Sequence, residues 1–147
     1  MKLPANKQLM LQVIGALLIL LWVYTSLSKL SDLHEFRGQL NNQVTGKKLT
    51  PYLIWILPGI ELLAAGMLLF KDLQKAGLIL SALLMAIFTA YVSLVVLNVF
   101  DRIPCSCGGA LKSLGWNAHL VFNSFFLVLS LMGIYITNGN REEEQAQ

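Results

Sequence analysis

An all-α, polytopic membrane protein with a four-helix bundle is the fold class this chain predicts, and three observations predict it. The 147 residues are 56% hydrophobic and only 13% charged, where soluble domains carry about 25% charged residues. The mean hydropathy is +0.64. Four apolar runs, at about 9–28, 52–70, 76–99 and 117–137, are each long enough to cross a ~30 Å hydrocarbon core as a helix. Together they make one transmembrane domain over residues 1–137, followed by a polar segment at 138–147 that reads as a disordered tail around Arg141-Glu142-Glu143-Glu144.

The first run follows Lys2 and Lys7, as the core of a signal peptide would. It is longer than a normal signal core and no small-x-small cleavage site follows it, so an uncleaved helix is expected. A long polar loop, Asp32 to Pro51, comes next. The second helix carries Pro58 and Glu61, and Lys71 to Lys75 reads as a tight turn into the third. A short polar break holding both cysteines precedes the fourth. Trp22, Tyr24, Tyr52, Trp55, Trp116 and Tyr135 fall toward segment ends, as an aromatic belt does. Gly15, Gly59, Gly66 and Gly77 are candidates for close helix contact.

The formal charge of +3 is spread among the loops. That excludes a nucleic-acid footprint, which needs Lys and Arg clustered on one face, and fits contact with the lipid bilayer. Four spans put both termini on one side with Lys2, Lys7, Lys71, Lys75 and Arg141. The other side receives Lys29, Arg37, Lys47, Lys48, Arg102 and Lys112, so the positive-inside rule is close to a tie. The cysteines tip the choice. An oxidised pair belongs on the oxidising face, which gives a bacterial inner-membrane protein with cytoplasmic termini and a periplasmic cysteine loop.

Both thiols lie in Cys105-Ser106-Cys107-Gly108-Gly109. A disulfide wants Cα atoms about 4.4–6.8 Å apart, which residues two apart meet only in a tight turn. Pro104 and the two glycines suit such a turn. The small ring is strained, and strained exposed disulfides are the labile kind; a loop this short gains little from cross-linking. Redox exchange is therefore favoured, with a local staple and a soft-metal site left open. Zinc would need two more ligands, with only His34 and His119 to hand, so no metal site is assigned.

Glu61 lies about nine residues into its helix, near mid-bilayer at ~1.5 Å per residue. An ionisable group there costs about 2.5–3.5 kcal/mol and normally faces the bundle interior. Lys29, reaching inward along its stem, is the nearest cationic candidate. Buried hydrogen bonds to Ser26, Ser28, Asn98 or Asn123 would instead make Glu61 a packing element. Pro58, three residues earlier, should kink the helix and free carbonyls beside the carboxyl group. His119 and Asn123 share one face of the fourth helix, and Asn98 sits near the end of the third. His119 can lower a thiol pKa or relay a proton, while Asn98 and Asn123 serve equally as interhelical hydrogen-bonding groups in a polar core.

With Ser26-Leu27-Ser28-Lys29-Leu30 and Phe36, Leu57-Pro58-Gly59-Ile60-Glu61, and Cys105-Ser106-Cys107-Gly108-Gly109 in that order, the chain resembles the MauE/DoxX family of small four-helix membrane proteins up to about Thr137. The family commonly reads Cys-x-Cys-Phe-Gly; here Gly108 replaces the aromatic residue and Gly109 keeps the glycine. The resemblance implies a redox-associated inner-membrane protein. MauE-like members support disulfide formation or maturation of a periplasmic partner, and DoxX-like relatives are linked to quinone or sulfur oxidation. It implies functional positions at Lys29, Glu61, Cys105 and Cys107, with Asn123 beside them.

Two classes of function follow. The first is a thiol–disulfide oxidoreductase acting on an exported or membrane partner, with quinone as candidate acceptor and no other cofactor expected. Relays from protein thiols to quinone usually use two cysteine pairs, and this chain has one. The second is a non-enzymatic membrane subunit that binds, anchors or assembles a partner protein.

Overall fold

The computed structural model describes residues 5–41, 48–97, 99 and 115–145. The described residues form five helices: α1 Ala5–Ser31, α2 Leu33–Asn41, α3 Thr50–Leu69, α4 Gln74–Val96 and α5 Trp116–Gln145. Four of them, α1, α3, α4 and α5 as far as Gly139, are long and apolar enough to cross a membrane. The chain is thus an all-α, multi-pass membrane protein.

Each predicted span holds a helix, but the ends move. α1 runs on to Ser31 because Thr25, Ser26 and Lys29, which look like the polar end of a span, turn inward instead of marking an interface. α3 opens at Thr50 with Pro51 in the first turn, where a missing N–H costs nothing. The α3–α4 turn is Phe70–Leu73, closed by the Leu73 N–H donating to the Phe70 carbonyl at 3.1 Å. α4 stops at Val96, three residues before the expected end. α5 carries the chain past Thr137 to Gln145, so the expected tail is helical backbone as far as that residue.

The expected loop from Asp32 to Pro51 contains α2, an element missed in the sequence. Leu33, Phe36 and Leu40 are spaced for one helical face, and Phe36 and Leu40 bury it against Ile54, Leu53 and Leu57 of α3. Asp32 caps its start: the Asp32 Oδ1 accepts from the Glu35 N–H at 2.9 Å, and Asp-x-x-Glu is the sequence form of such a cap.

The four spanning helices form a ring in which α1 and α4 each pack against α3 and α5. Their interior stripes recur at three- and four-residue steps, as in Leu11, Ile14, Leu18, Leu21 and Trp22 of α1. Two close approaches use glycine. A Cβ on Gly133 would meet Leu78 Cδ2 at 2.8 Å, and one on Gly77 would meet the Leu68 backbone nitrogen at 3.0 Å. Gly59 and Gly66, expected at contacts, have nothing within 4 Å. Helix association in lipid depends on such fit, because lipid tails are as apolar as leucine.

Candidate functional site

The stripe of α1 changes chemistry along its length. Up to Trp22 it is apolar; beyond, it reads Thr25, Ser26 and Lys29, spaced so that all three keep facing the neighbours that Leu18 and Trp22 face. Trp22 marks the change. It is 0% exposed and its indole N–H donates to Ser81 Oγ of α4 at 2.9 Å. The expectation of a belt position for Trp22 is therefore wrong, while Tyr24, Tyr52, Trp55 and Tyr135 do stand exposed.

Lys29 and Glu61 form the centre of the site. Lys29 Nζ donates to Glu61 Oε1 at 2.5 Å, with the carboxylate side chain 1% exposed. Helix geometry explains how residues far apart along the bundle meet. Side chains lean toward the N-terminus of their own helix, and α1 and α3 run in opposite directions. Lys29 therefore leans into the bundle and Glu61 leans out toward it. In such surroundings neither charge is tolerable alone, and losing one partner of a buried pair costs about 3–5 kcal/mol.

Ser26 does not bond to Glu61. Its hydroxyl donates to the Pro58 carbonyl at 3.1 Å, fully buried. Pro58 lacks an N–H, so the carbonyl it deprives of a donor is that of Ile54, four residues back; the Ser26 bond goes to the other side of the proline. The result is a second α1–α3 tie one turn from the ion pair. Thr25 also stands beside the Glu61 carboxyl group, and its hydroxyl donates to the Trp22 carbonyl at 3.3 Å.

α5 adds His119 and Asn123. Asn123 is 5% exposed. His119 is half-buried near the start of α5, close enough to feel the Lys29 charge. Four buried atoms in this half have no hydrogen-bond partner among the described residues: Thr50 Oγ1, Glu61 Oε2, Thr89 Oγ1 and His119 Nδ1. Thr89 of α4 escaped notice in the sequence. It continues the interior stripe of Met85 and Val92 at four- and three-residue steps, and that spacing is the signal that finds it.

The structure thus brings together Lys29, Glu61 and Pro58 on α1 and α3, and sets His119 and Asn123 on the interior face of α5. Cys105, Cys107 and Asn98 lie outside the described residues. By chain connectivity the Cys-x-Cys segment joins the C-terminus of α4 to the N-terminus of α5, the bundle end to which Lys29 belongs. Among the described residues no group of three His, Cys, Asp or Glu side chains is arranged to hold a metal ion.

Comparison with known proteins adds a family. No curated protein and no solved structure matches the chain. The family described as methylamine utilisation protein MauE matches residues 7–136, a stretch that begins in α1, ends in α5 and holds every residue of the site. On that match the chain belongs to the MauE family.

Proposed function

We propose that this membrane protein exchanges disulfides with an exported partner through Cys105 and Cys107. The observation that carries the reading is the Lys29–Glu61 pair, sealed inside the bundle near the end from which the cysteine segment is strung. Ionisable groups held within a membrane interior mark functional sites, and this one has a free carboxylate oxygen.

In the forward step a partner thiolate attacks one sulfur of the Cys105–Cys107 disulfide and releases the other as thiolate. The second partner thiol then resolves the mixed disulfide. The partner leaves as a disulfide and both cysteines are left as thiols, a transfer of two electrons and two protons. To turn over, the pair passes these to a membrane quinone, which becomes quinol as the cysteine disulfide re-forms. The chain has one cysteine pair, so the quinone meets that pair directly or through a second pair that a partner supplies. The setting is a bacterial inner membrane, with the cysteine segment in the periplasm and the termini in the cytoplasm.

The test is a cysteine-trapping experiment in cells. Cys105→Ser and Cys107→Ser should each stop oxidation of the partner, and one of them should hold it as a mixed disulfide on non-reducing gels. If both variants mature exported cysteine proteins normally, the exchange reading fails and a non-enzymatic subunit that anchors a partner takes its place. Glu61→Gln belongs in the same series, scored for partner oxidation among molecules that remain folded.

A further inference from the structure

We propose that α2 and the outer limb of α3, residues 50–57, form one hinged cap over the Lys29–Glu61 pair, with Pro58 and Gly59 as its pivot. The proposal does not depend on thiol exchange. It rests on how the apolar contacts of α3 divide. Leu53, Ile54 and Leu57 pack with Leu33, Phe36 and Leu40 of α2. Ile60, Ala64, Ala65 and Leu68 pack instead with the main core built from α1, α4 and α5. No residue belongs to both clusters, and the division falls at Pro58 and Gly59.

The backbone of α3 is weakest at the same place. Pro58 has no N–H to give the Ile54 carbonyl, so the outer limb is joined to the rest of the helix by one hydrogen bond fewer. Helices bend at such positions. Gly59 comes next, and a Cβ there would meet nothing within 4 Å; its glycine serves no close contact and adds backbone freedom. The polar ties from α1 hold the fixed side of this hinge. Ser26 donates to the carbonyl of Pro58 itself, and Lys29 to Glu61 beyond it.

The cap lies across the mouth of the bundle and not on its lipid side. Ile54 and Glu61, seven residues apart, share the interior face of α3 with Ala65 and Leu68. α2 covers that face at Ile54, about 10 Å nearer the cysteine end than Glu61 at ~1.5 Å per residue. Tyr52, Trp55 and Ile56, on the other face, stay exposed. In this closed form the Glu61 side chain is 1% exposed. Three buried side chains, Phe36, Leu40 and Ile54, make up the outer cluster, against twelve in the main core, so the cap is the part that opens at least cost. When the limb tilts at Pro58 it carries α2 with it, and the ion pair meets the aqueous phase at the cysteine end.

Distances between spin labels test this. In full-length protein with Cys105→Ser and Cys107→Ser, reconstituted in lipid nanodiscs, one label sits at Val128→Cys on α5, across the ring from α3. The second sits at Arg37→Cys on α2, Trp55→Cys on the outer limb or Leu63→Cys beyond the pivot, all exposed positions. Phe36→Ala and Leu40→Ala each hollow the outer cluster and should raise the ratio of open to closed cap at least ~10-fold. A second distance should then appear from Arg37 and from Trp55 in the same proportion, with the Leu63 distance unchanged. Adding Gly59→Ala or Pro58→Ala, which stiffen the pivot, should shrink that second population. Ser26→Cys, a near-isosteric change at a fully buried position beside the pair, should react with a charged methanethiosulfonate reagent at least ~10-fold faster when Phe36→Ala is present.

A single unchanged distance from Trp55 in both alanine variants, in protein with an unaltered gel-filtration profile, overturns the cap. So does a second distance from Arg37 alone, which would make α2 a free flap, or an equal change from Leu63, which would move α3 as a whole. A second population indifferent to Gly59→Ala and Pro58→Ala removes the pivot, and unaltered labelling of Ser26→Cys removes the cap from over the pair. Both native cysteines are absent throughout, so none of these results bears on whether they exchange disulfides.

Discussion

Between the Phe70–Leu73 turn and the level of Trp22, the spanning helices meet through Leu18, Ala64, Leu68, Leu78 and Phe126, with Gly77 and Gly133 letting backbones close in. Beyond Trp22 the same stripes carry Ser26, Lys29, Glu61, Thr89, His119 and Asn123. The helices, their directions and their neighbours do not change; only the side chains at the recurring positions do. In the first half every contact competes with an equally apolar lipid tail, so association comes from shape. In the second, a lysine or glutamate has no acceptable partner in lipid, so the contact fixes which helix faces which. Shape sets how closely this bundle packs, and charge sets its register.

Breaking the charge half should produce the largest effect. Lys29→Met or Glu61→Gln alone should lower stability, by about 3–5 kcal/mol where the remaining group stays charged, measured as SDS-induced unfolding in mixed micelles. The pair Lys29→Met with Glu61→Leu should recover most of that loss, since apolar replacement of a buried ion pair is often neutral or stabilising. A double variant as unstable as either single one would show that neither charge was the cause.

The shape half answers to a smaller perturbation. Gly133→Ala must displace Leu78, whose Cδ2 would sit 2.8 Å from the new methyl, and overpacking of this kind costs about 1–3 kcal/mol. Gly66→Ala is the matched control, because nothing lies within 4 Å of its Cβ, and its unfolding should match the parent protein. The boundary between the halves gives the smallest effect. Trp22→Phe removes the donor to Ser81 while keeping an aromatic ring beside Phe88, at about 0.5–1.5 kcal/mol for the lost hydrogen bond. Thermal unfolding followed by Phe and Tyr fluorescence would register it.

The two halves were not equally legible in the sequence. Hydropathy exposes the four spans because about 20 apolar residues in a row have few uses outside a membrane. The Lys29–Glu61 pairing was legible as well, since a carboxylate at mid-bilayer demands a cation and few lay within reach. Two errors, the end of α1 and the place of Trp22, share one cause: polar residues read as a span end. Thr25, Ser26 and Lys29 made the first helix seem to stop near Ser28, which moved Trp22 from the interior to a belt. Thr89, one hydroxyl in an apolar run, carried no signal until the stripe was known. Glycine contacts depend on how two helices are rotated, which no single helix reveals, hence Gly133 in place of Gly59 and Gly66. α2 was hidden by its polar composition, although Asp32 and Glu35 spell out its cap.

The opposed lean of Lys29 and Glu61 also bears on how the protein enters its membrane. α3 taken alone brings Glu61 into lipid near its middle, where such a group costs about 2.5–3.5 kcal/mol. That debt is cancelled only when α1 and α3 lie side by side, since each side chain tilts toward the place the other occupies. Pairing of α1 with α3 during insertion therefore removes that cost. A newly made chain in which the two fail to meet keeps an exposed charge in its membrane segment, the kind of flaw a membrane protease can recognise.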